Sequence, residues 1–330
     1  MSDRQSGFVL VSSIWLTLIM LVFAGLFNNY ASRYLDAAVA SKSRIESSME
    51  KRAVESTLMF LFATYGSSRR GLELENDEFI RLDGSLYHGT GQAFFRVNDH
   101  YGLVGLNSAR HFHLEHLLKS YESSGIRRQE LVAALVDYID SDNLASLSGR
   151  EAPAYRVKGM AEPSNEYLLT PTEIYKVYGW SEWLSRHPDV DLDWFSTNWR
   201  SRLNINAVPE TLLPSILPLS NKDRELIVQR RRDKAFRSMG ELAQVLRLRS
   251  SLDEDFYTFL PSGEVRFRVY SANDSKLTSL SVRFTPMNLE SPWHIDYRYL
   301  GERNFDLPAI SETAAEKDFG RELFAAEDFR

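Results

Sequence analysis

The sequence contains no cysteine. That excludes a disulfide-stapled scaffold, thiolate metal sites and cysteine nucleophiles. Charge is missing from one long stretch: between Phe8 and Phe27 there is no charged residue and no proline. Proline and glycine are both missing from residues 28–64, so nothing there breaks a helix. A surplus of basic residues is missing as well. The net charge is −6, which gives no global positive field for nucleic acid. There is no G-x-S-x-G, no phosphate-binding glycine loop and no H-E-x-x-H. With no nucleophile constellation the chain reads as a non-enzyme. Its 330 residues, 43% of them hydrophobic, suffice for one membrane anchor and one or two globular units.

What is present begins with the run FVLVSSIWLTLIMLVFAGLF, residues 8–27. A bilayer core of roughly 30 Å takes about 20 apolar residues in a helix. A secretory signal peptide would be shorter and end at a small-x-small cleavage site. Here the small residue is Gly7, between the polar leader MSDRQS and bulky Phe8. Asp3 offsets Arg4, so the positive-inside rule does not orient the segment. Helical patterning then continues through Leu35, Ala38, Val39, Ile45, Met49, Ala53, Val54, Leu58 and Phe62, until Gly66 and two serines close it. One helix over residues 8–65 would be roughly 85 Å long at 1.5 Å per residue. An anchor followed by a separate helical linker is the plainer alternative.

Residues 79–106 and 264–300 read as strands and turns. Asp83-Gly84 is a hairpin dipeptide, and a break is expected at Asn98-Asp99. One apolar face is expected from Val265, Phe267 and Val269, from Leu280, Val282 and Phe284, and from Ile295, Tyr297 and Tyr299. The intervening residues are patterned as helices and hold a repeat. One copy opens at Leu106-Asn107 and ends in LLTPTEIYKVYGW; the other opens at Leu203-Asn204-Ile205-Asn206 and ends in RSMGELAQVL. Thr170 with Glu173, and Ser238 with Glu241, are spaced as capping boxes. Asn204 and Asn206 are placed to bind local backbone. The fold class is α+β: a long N-terminal helix, a small antiparallel sheet, and a large helical insertion.

The glycine-then-apolar order at Gly7–Phe8 resembles the type IV prepilin signal. An ordinary signal anchor with a chance glycine is the alternative. If the signal is genuine, a prepilin peptidase cuts after Gly7 and methylates Phe8. Pilins usually carry Glu five residues into the mature chain, but here that position is Ser12. Further on, DHYGLVGLN (99–107), LVDYIDSDN (135–143) with Gly149 and Glu151, Pro163…Asn165 before LLTPTEI, and LNINAVPETLL (203–213) follow in order. Together these resemble the type II secretion system protein K family, the minor pseudopilin K of the general secretion pathway.

The resemblance implies a prepilin leader (1–7) and an N-terminal helix (8–65, transmembrane over 8–27). It implies a pilin-like sheet in two parts (66–107 and 262–300). Between these parts it implies an inserted α-domain (108–261) of two SAM-like units, about 108–180 and 203–261. The acidic tail, 301–330, has no counterpart and is expected to be disordered. The implied function is a minor pseudopilin at the tip of the periplasmic pseudopilus, with two other minor pseudopilins of I and J type. It would be held in the bacterial inner membrane, head in the periplasm, and engage the secretion platform. No nucleic acid is expected.

Three clusters carry possible chemistry. Asp140, Asp142 and Glu151 occupy positions 1, 3 and 12 of an EF-hand-like spacing, but Leu144 and Ala145 stand at positions 5 and 6. Calcium held by a looser set is expected here, since the family carries calcium in its α-domain. Asp137, one turn earlier, is placed to join. A solvated loop with Asp140 or Asp142 as a cap is the alternative. His111, His113 and His116 read as an exposed histidine face rather than a metal site. Residues 203–247 resemble a helix-hairpin-helix, with Arg230, Arg231, Arg232, Lys234 and Arg237 as its positive charge. That supports an alternative function, a membrane-anchored DNA-binding or uptake protein. LPLSNKD lacks the Gly-x-Gly such a hairpin needs, so a solvated face is expected there.

Overall fold

In the computed structural model a single helix, α1, runs unbroken from Arg4 to Thr64. The structure describes residues 4–75, 78–217, 219–246, 253–303, 305 and 307, with side chains from Phe8 onward. At 61 residues, α1 is roughly 90 Å long. Its apolar first part is bare, and it is long and apolar enough to cross a bilayer. Its last turns are the opposite: Val54, Leu58, Leu61 and Phe62 are buried against a sheet.

Short strands β1 (Leu72–Glu73) and β2 (Phe79–Ile80) pair after α1. Next come β3 (Asp83–His88), β4 (Ala93–Asp99) and β5 (Val104–Gly105). The helical stretch contains α2 (Phe112–Tyr121), α3 (Gly125–Ile139), α4 (Ala152–Val157) and α5 (Trp180–Arg186). It continues through β6 (Phe195–Ser196), β7 (Leu203–Asn204), α6 (Leu213–Ile216), α7 (Asn221–Asp233), α8 (Met239–Leu246) and β8 (Tyr257–Thr258). The chain returns through β9 (Glu264–Ser271), β10 (Asp274–Phe284) and β11 (Trp293–Glu302). The main sheet is antiparallel in the order β11-β10-β9-β4-β3, so everything from β5 to β8 is inserted between its central strands.

The pleat of β9 sorts its side chains. Val265, Phe267 and Val269 join the α1 core, where Phe62 packs 5.3 Å from both Phe267 and Phe284. Arg266, Arg268 and Tyr270 point the other way. Arg266 donates to the carbonyls of Phe195 (2.9 Å) and Asp193, and Arg268 pairs with the Asp193 carboxylate. The helical insertion therefore sits on the second face of the same sheet. A second ionic joint lies at β3. Arg231 of α7 is 3.4 Å from the Asp83 carboxylate, which also takes Arg81 at 2.6 Å. Arg231 spends another N–H on the Val208 carbonyl at 2.6 Å. Burial alone would raise the Asp83 carboxyl, but Arg231 and Arg81 hold it below its usual range.

Several local expectations are corrected. Asp83-Gly84 is not a hairpin tip. Gly84, at φ 81°, lies in a bulge at the start of β3, and the turn itself spans Gly89–Gln92. A Cβ on Gly84 would meet the Asn98 amide at 2.6 Å, so the bulge requires glycine. β4 does end at Asp99, where a break is expected, and a single turn over His100–Gly102 leads to β5. In β11 a bulge opposite Ser281 and Val282 inserts one residue, so Ile295 and Tyr297 face opposite sides. The strand's single apolar face is therefore split. The expected disordered tail begins inside β11, with Gly301 and Glu302. Beyond it Phe305 and Leu307 cover Phe94, Tyr270 and Leu277 on the sheet's second face. The remainder of the tail, 308–330, lies outside the described residues.

The insertion packs around one core containing Trp180, Trp183, Phe195 and Phe236, and its two halves share one wiring plan. β5 pairs with β6 in parallel, and β7 with β8 in parallel. The Asn107 amide grips both backbone groups of Leu168 and donates to Thr197. Asn206 does the same with Phe236 and Phe259. Glu173 then accepts the Leu169 amide, and Glu241 the Arg237 amide. The repeat register is thus Asn107 with Asn206, two residues on from the Asn204 alignment. The first half runs on to Thr197. Residues 140–167 of the first half stand where the second has only 234–235.

Two outcomes follow from the joints. Arg231→Ala removes one of two cations from buried Asp83, and loss of about 3–5 kcal/mol is expected from urea unfolding of the full chain in detergent. A loss below about 1 kcal/mol would show that the joint is not stabilising. Asp99, at the end of β4, is buried, and burial raises its carboxyl to about 6 against hydrogen bonds from Ser262, Asn204 and the Tyr101 amide. An unfolded Asp titrates near about 3.9. Between these values the folded protein holds the extra proton, so the stability Asp99 contributes falls as pH rises. The wild-type minus Asp99→Asn stability difference should drop by roughly 2–3 kcal/mol from about pH 4 to about pH 7. His100, pushed down to about 3 by burial and by Arg266 and Arg283, slopes the other way in both proteins and cancels. A difference independent of pH would contradict the assignment.

Candidate metal centre

α3 is capped by Ser124, whose hydroxyl accepts the Arg127 amide at 3.3 Å, and ends where Asp140 turns extended. The chain then loops over the end of α3 to Glu151, which precedes α4 and its first-turn proline. Carboxylate oxygens of Asp140, Asp142 and Glu151 lie within 4.8 Å of one another. Both Glu151 oxygens and Asp140 Oδ1 are buried without a hydrogen-bond partner. Burial raises both carboxyls, and the neighbouring acids raise them further: Asp142 and Asp137 act on Asp140, Asp137 and Asp140 on Glu151.

The scaffold around the carboxylates is well bonded. Asp137, buried, accepts the Ser146 amide with both oxygens at 3.1 and 3.2 Å. It therefore stands beside the cluster as a clamp on its loop. Gly149 lies so close to the Asp137 carboxylate that any Cβ would overlap it. Arg150 donates to the Gly149 carbonyl at 2.7 Å and pairs with Glu130 at 3.4 Å. Asp142 Oδ1 accepts the Leu144 amide at 2.8 Å. Asn165, held at φ 51°, donates to the Asp142 carbonyl at 2.9 Å and to Asn143 at 3.0 Å. Clamping by Asn165 was not foreseen; its place in the Pro163…Asn165 stretch was the available signal.

The donor set is all oxygen, which suits a hard cation and not zinc or copper. Calcium–oxygen bonds of about 2.3–2.6 Å put ligand oxygens up to about 5 Å apart, so the observed spacing fits. Three converging carboxylates with unspent oxygens are costly without a cation. The residues present therefore fit calcium.

Other candidate residues are placed differently. The histidine face is not exposed. His113 is buried and bonds the Phe256 carbonyl at 2.9 Å, while His116 bonds Phe112 one turn back at 2.8 Å. The arginine run is not one solvated face, since Arg231 is buried in the Asp83 joint. Arg230 pairs with Glu241 at 2.6 Å and Arg232 with Glu210 at 3.5 Å. Lys234 and Arg237 are exposed and share a shallow pocket with Arg69 and Arg70. Gly7 and Phe8 lie within α1, and Ser12 donates to the Phe8 carbonyl at 2.7 Å.

No protein-family model and no curated protein sequence matches the chain. Among solved structures, it is similar to a chain of the GspK–GspI–GspJ complex from the enterotoxigenic Escherichia coli type 2 secretion system, at 15% identity and a TM-score of 0.54. The match covers 82% of this chain and 99% of that one. The likeness is one of fold: over the matched residues the α+β arrangement is similar to that of the solved chain.

Proposed function

We propose that this chain is a minor pseudopilin of protein K type in a type II secretion system. In this reading it is anchored in the bacterial inner membrane with its head in the periplasm, and caps the pseudopilus tip together with I- and J-type minor pseudopilins. The carrying observation is one helix with two environments. The bare apolar part of α1 fits a bilayer, and the buried part fixes it to a sheet split by a helical insertion. The likeness to a chain of a GspK–GspI–GspJ complex supports the choice of partners.

The mechanism is assembly. Between bilayer and sheet α1 still exposes Leu35, Val39, Ile45 and Met49, which suits packing against neighbouring pilin-like helices. Ser12 carries no charge, so the amine of an adjacent subunit gains no carboxylate here. A subunit with no neighbour above it loses nothing by this. Prepilin peptidase cleavage after Gly7 and methylation of Phe8 belong to the same reading, as does docking on the secretion platform. Asp140, Asp142 and Glu151 would hold calcium and fix the loop over the end of α3.

The full chain, co-purified in detergent with I- and J-type partners, should form a complex whose mass by light scattering contains one copy of it. Complexes with many copies, or open-ended self-assembly, would point to a repeating fibre subunit. For the metal, binding to the folded state stabilises by RT ln(1 + [Ca]/Kd), about 2.7 kcal/mol at a hundredfold excess over Kd. Calcium should raise the melting temperature of the full chain, chelator should lower it, and Glu151→Gln should abolish the difference. A melting temperature indifferent to calcium would leave the carboxylates as loop structure only.

A further inference from the structure

Beside the metal loop lies a cleft of about 770 Å³, bounded by the turn after β5, the last turn of α3 and residues 165–169. Its floor is apolar, with Val136 and Ile139 from α3. Tyr167 and Leu169 stand at its mouth, 63% and 69% exposed. Polar groups at the cleft divide into spent and unspent. The Asn107 amide is used on Leu168 and Thr197, and the Ser108 hydroxyl on Arg110 and Ser201. Besides Asp140 Oδ1, which belongs to the metal site, two buried atoms have no partner: Asn165 Oδ1 and His111 Nδ1. Asn165 is oriented by its own amide nitrogen, which is held by the metal loop, and this fixes where its oxygen lies.

The ligand is set by this inventory. The Asn165 oxygen only accepts, and a neutral imidazole nitrogen can accept too. Asp140 and Glu166 bring negative charge, and among the described residues no lysine or arginine lines the cleft. A complementary ligand brings N–H donors and positive charge on an apolar body. Exposed apolar side chains at the mouth extend the contact beyond a small amine, as an extended polypeptide would require. We propose that this cleft docks an extended segment of a protein partner in which an arginine or lysine adjoins a large apolar residue. The apolar side chain fills the floor over Val136 and Ile139, the cation lies on the Glu166 side, and N–H donors take the Asn165 and His111 acceptors. The second half of the insertion has no such cleft wall, because 234–235 replace 140–167.

The test uses the full chain in nanodiscs of zwitterionic lipid and a fluorescein-labelled octapeptide of alternating leucine and arginine. Its glutamate counterpart is the control, and anisotropy on empty discs is subtracted. The arginine peptide should bind at least fivefold tighter than the glutamate peptide. The surface double variant Tyr167→Ser/Leu169→Ser should weaken it at least fivefold with melting temperature unchanged. Both titrations run with calcium and with chelator, so the cleft is read separately from the metal; binding in either condition supports the proposal. Equal binding of the two peptides, no binding in either condition, or unaltered binding by the double variant overturns it.

Discussion

The placement of the helical insertion rests on one buried carboxylate. Asp83 sits at the start of the edge strand β3 with two guanidinium groups, Arg81 from beside it and Arg231 from α7. A charge so placed is costly unless its partners are present, so the sheet and α7 are held in one relative position. Arg231 is doubly committed, because the same guanidinium satisfies the carbonyls of Ile205 and Val208 behind the second clasp. On β9, Arg266 and Arg268 repeat the device against Asp193 and Phe195 in the first half. Each half of the insertion is therefore pinned to the sheet by its own arginine contacts.

This arrangement follows from how the sheet spends its two faces. The α1 side is closed by apolar packing. Were the second side apolar as well, α1 and the insertion would compete for equivalent surfaces. Instead the residues of β9 alternate strictly between valine or phenylalanine and arginine over Val265–Arg268. Hydrophobic burial is non-directional, whereas guanidinium-to-carbonyl contacts have fixed geometry. Orientation on the second face is set by those contacts, with Phe305 and Leu307 completing the apolar cover at its other end.

How far the fold could be read from the sequence depended on the kind of signal. Composition and period carried the long helix and the α+β class, since the uncharged run and the 3.6-residue pattern depend on many residues at once. What failed were single-residue events. Asp83-Gly84 offers the same dipeptide to a hairpin and to a bulge, and only the partner strand decides. The inserted residue in β11 breaks a period of two that looks continuous in the sequence. His113 has the local look of a surface residue, but its partner, Phe256, is remote in sequence. At the metal centre the carboxylate spacing is visible in the sequence, which also places Asp137 to join the ligands, whereas its oxygens hold the Ser146 amide. The clamps are not visible, because Asp137 takes the backbone amide of Ser146 and the Asn165 side chain donates to the backbone carbonyl of Asp142, groups that no side-chain pattern encodes.

The duplicated wiring explains why a metal loop can exist here at all. In both halves the Asn clasp, the parallel strand pair and the capping glutamate close the unit without help from the segment between its second helix and its clasped residue. The second half shows the minimum for that segment, residues 234–235. Any longer segment in the first half is free of the duty of holding the unit together, which Asn107 performs from elsewhere. It can therefore carry what a core cannot: clustered carboxylates, a left-handed asparagine and exposed leucines at 144 and 147. Loops on a rigid scaffold tolerate such residues. The carboxylate cluster lies in this segment, and the cleft takes one of its walls from it through Asp140, Asn165 and Tyr167.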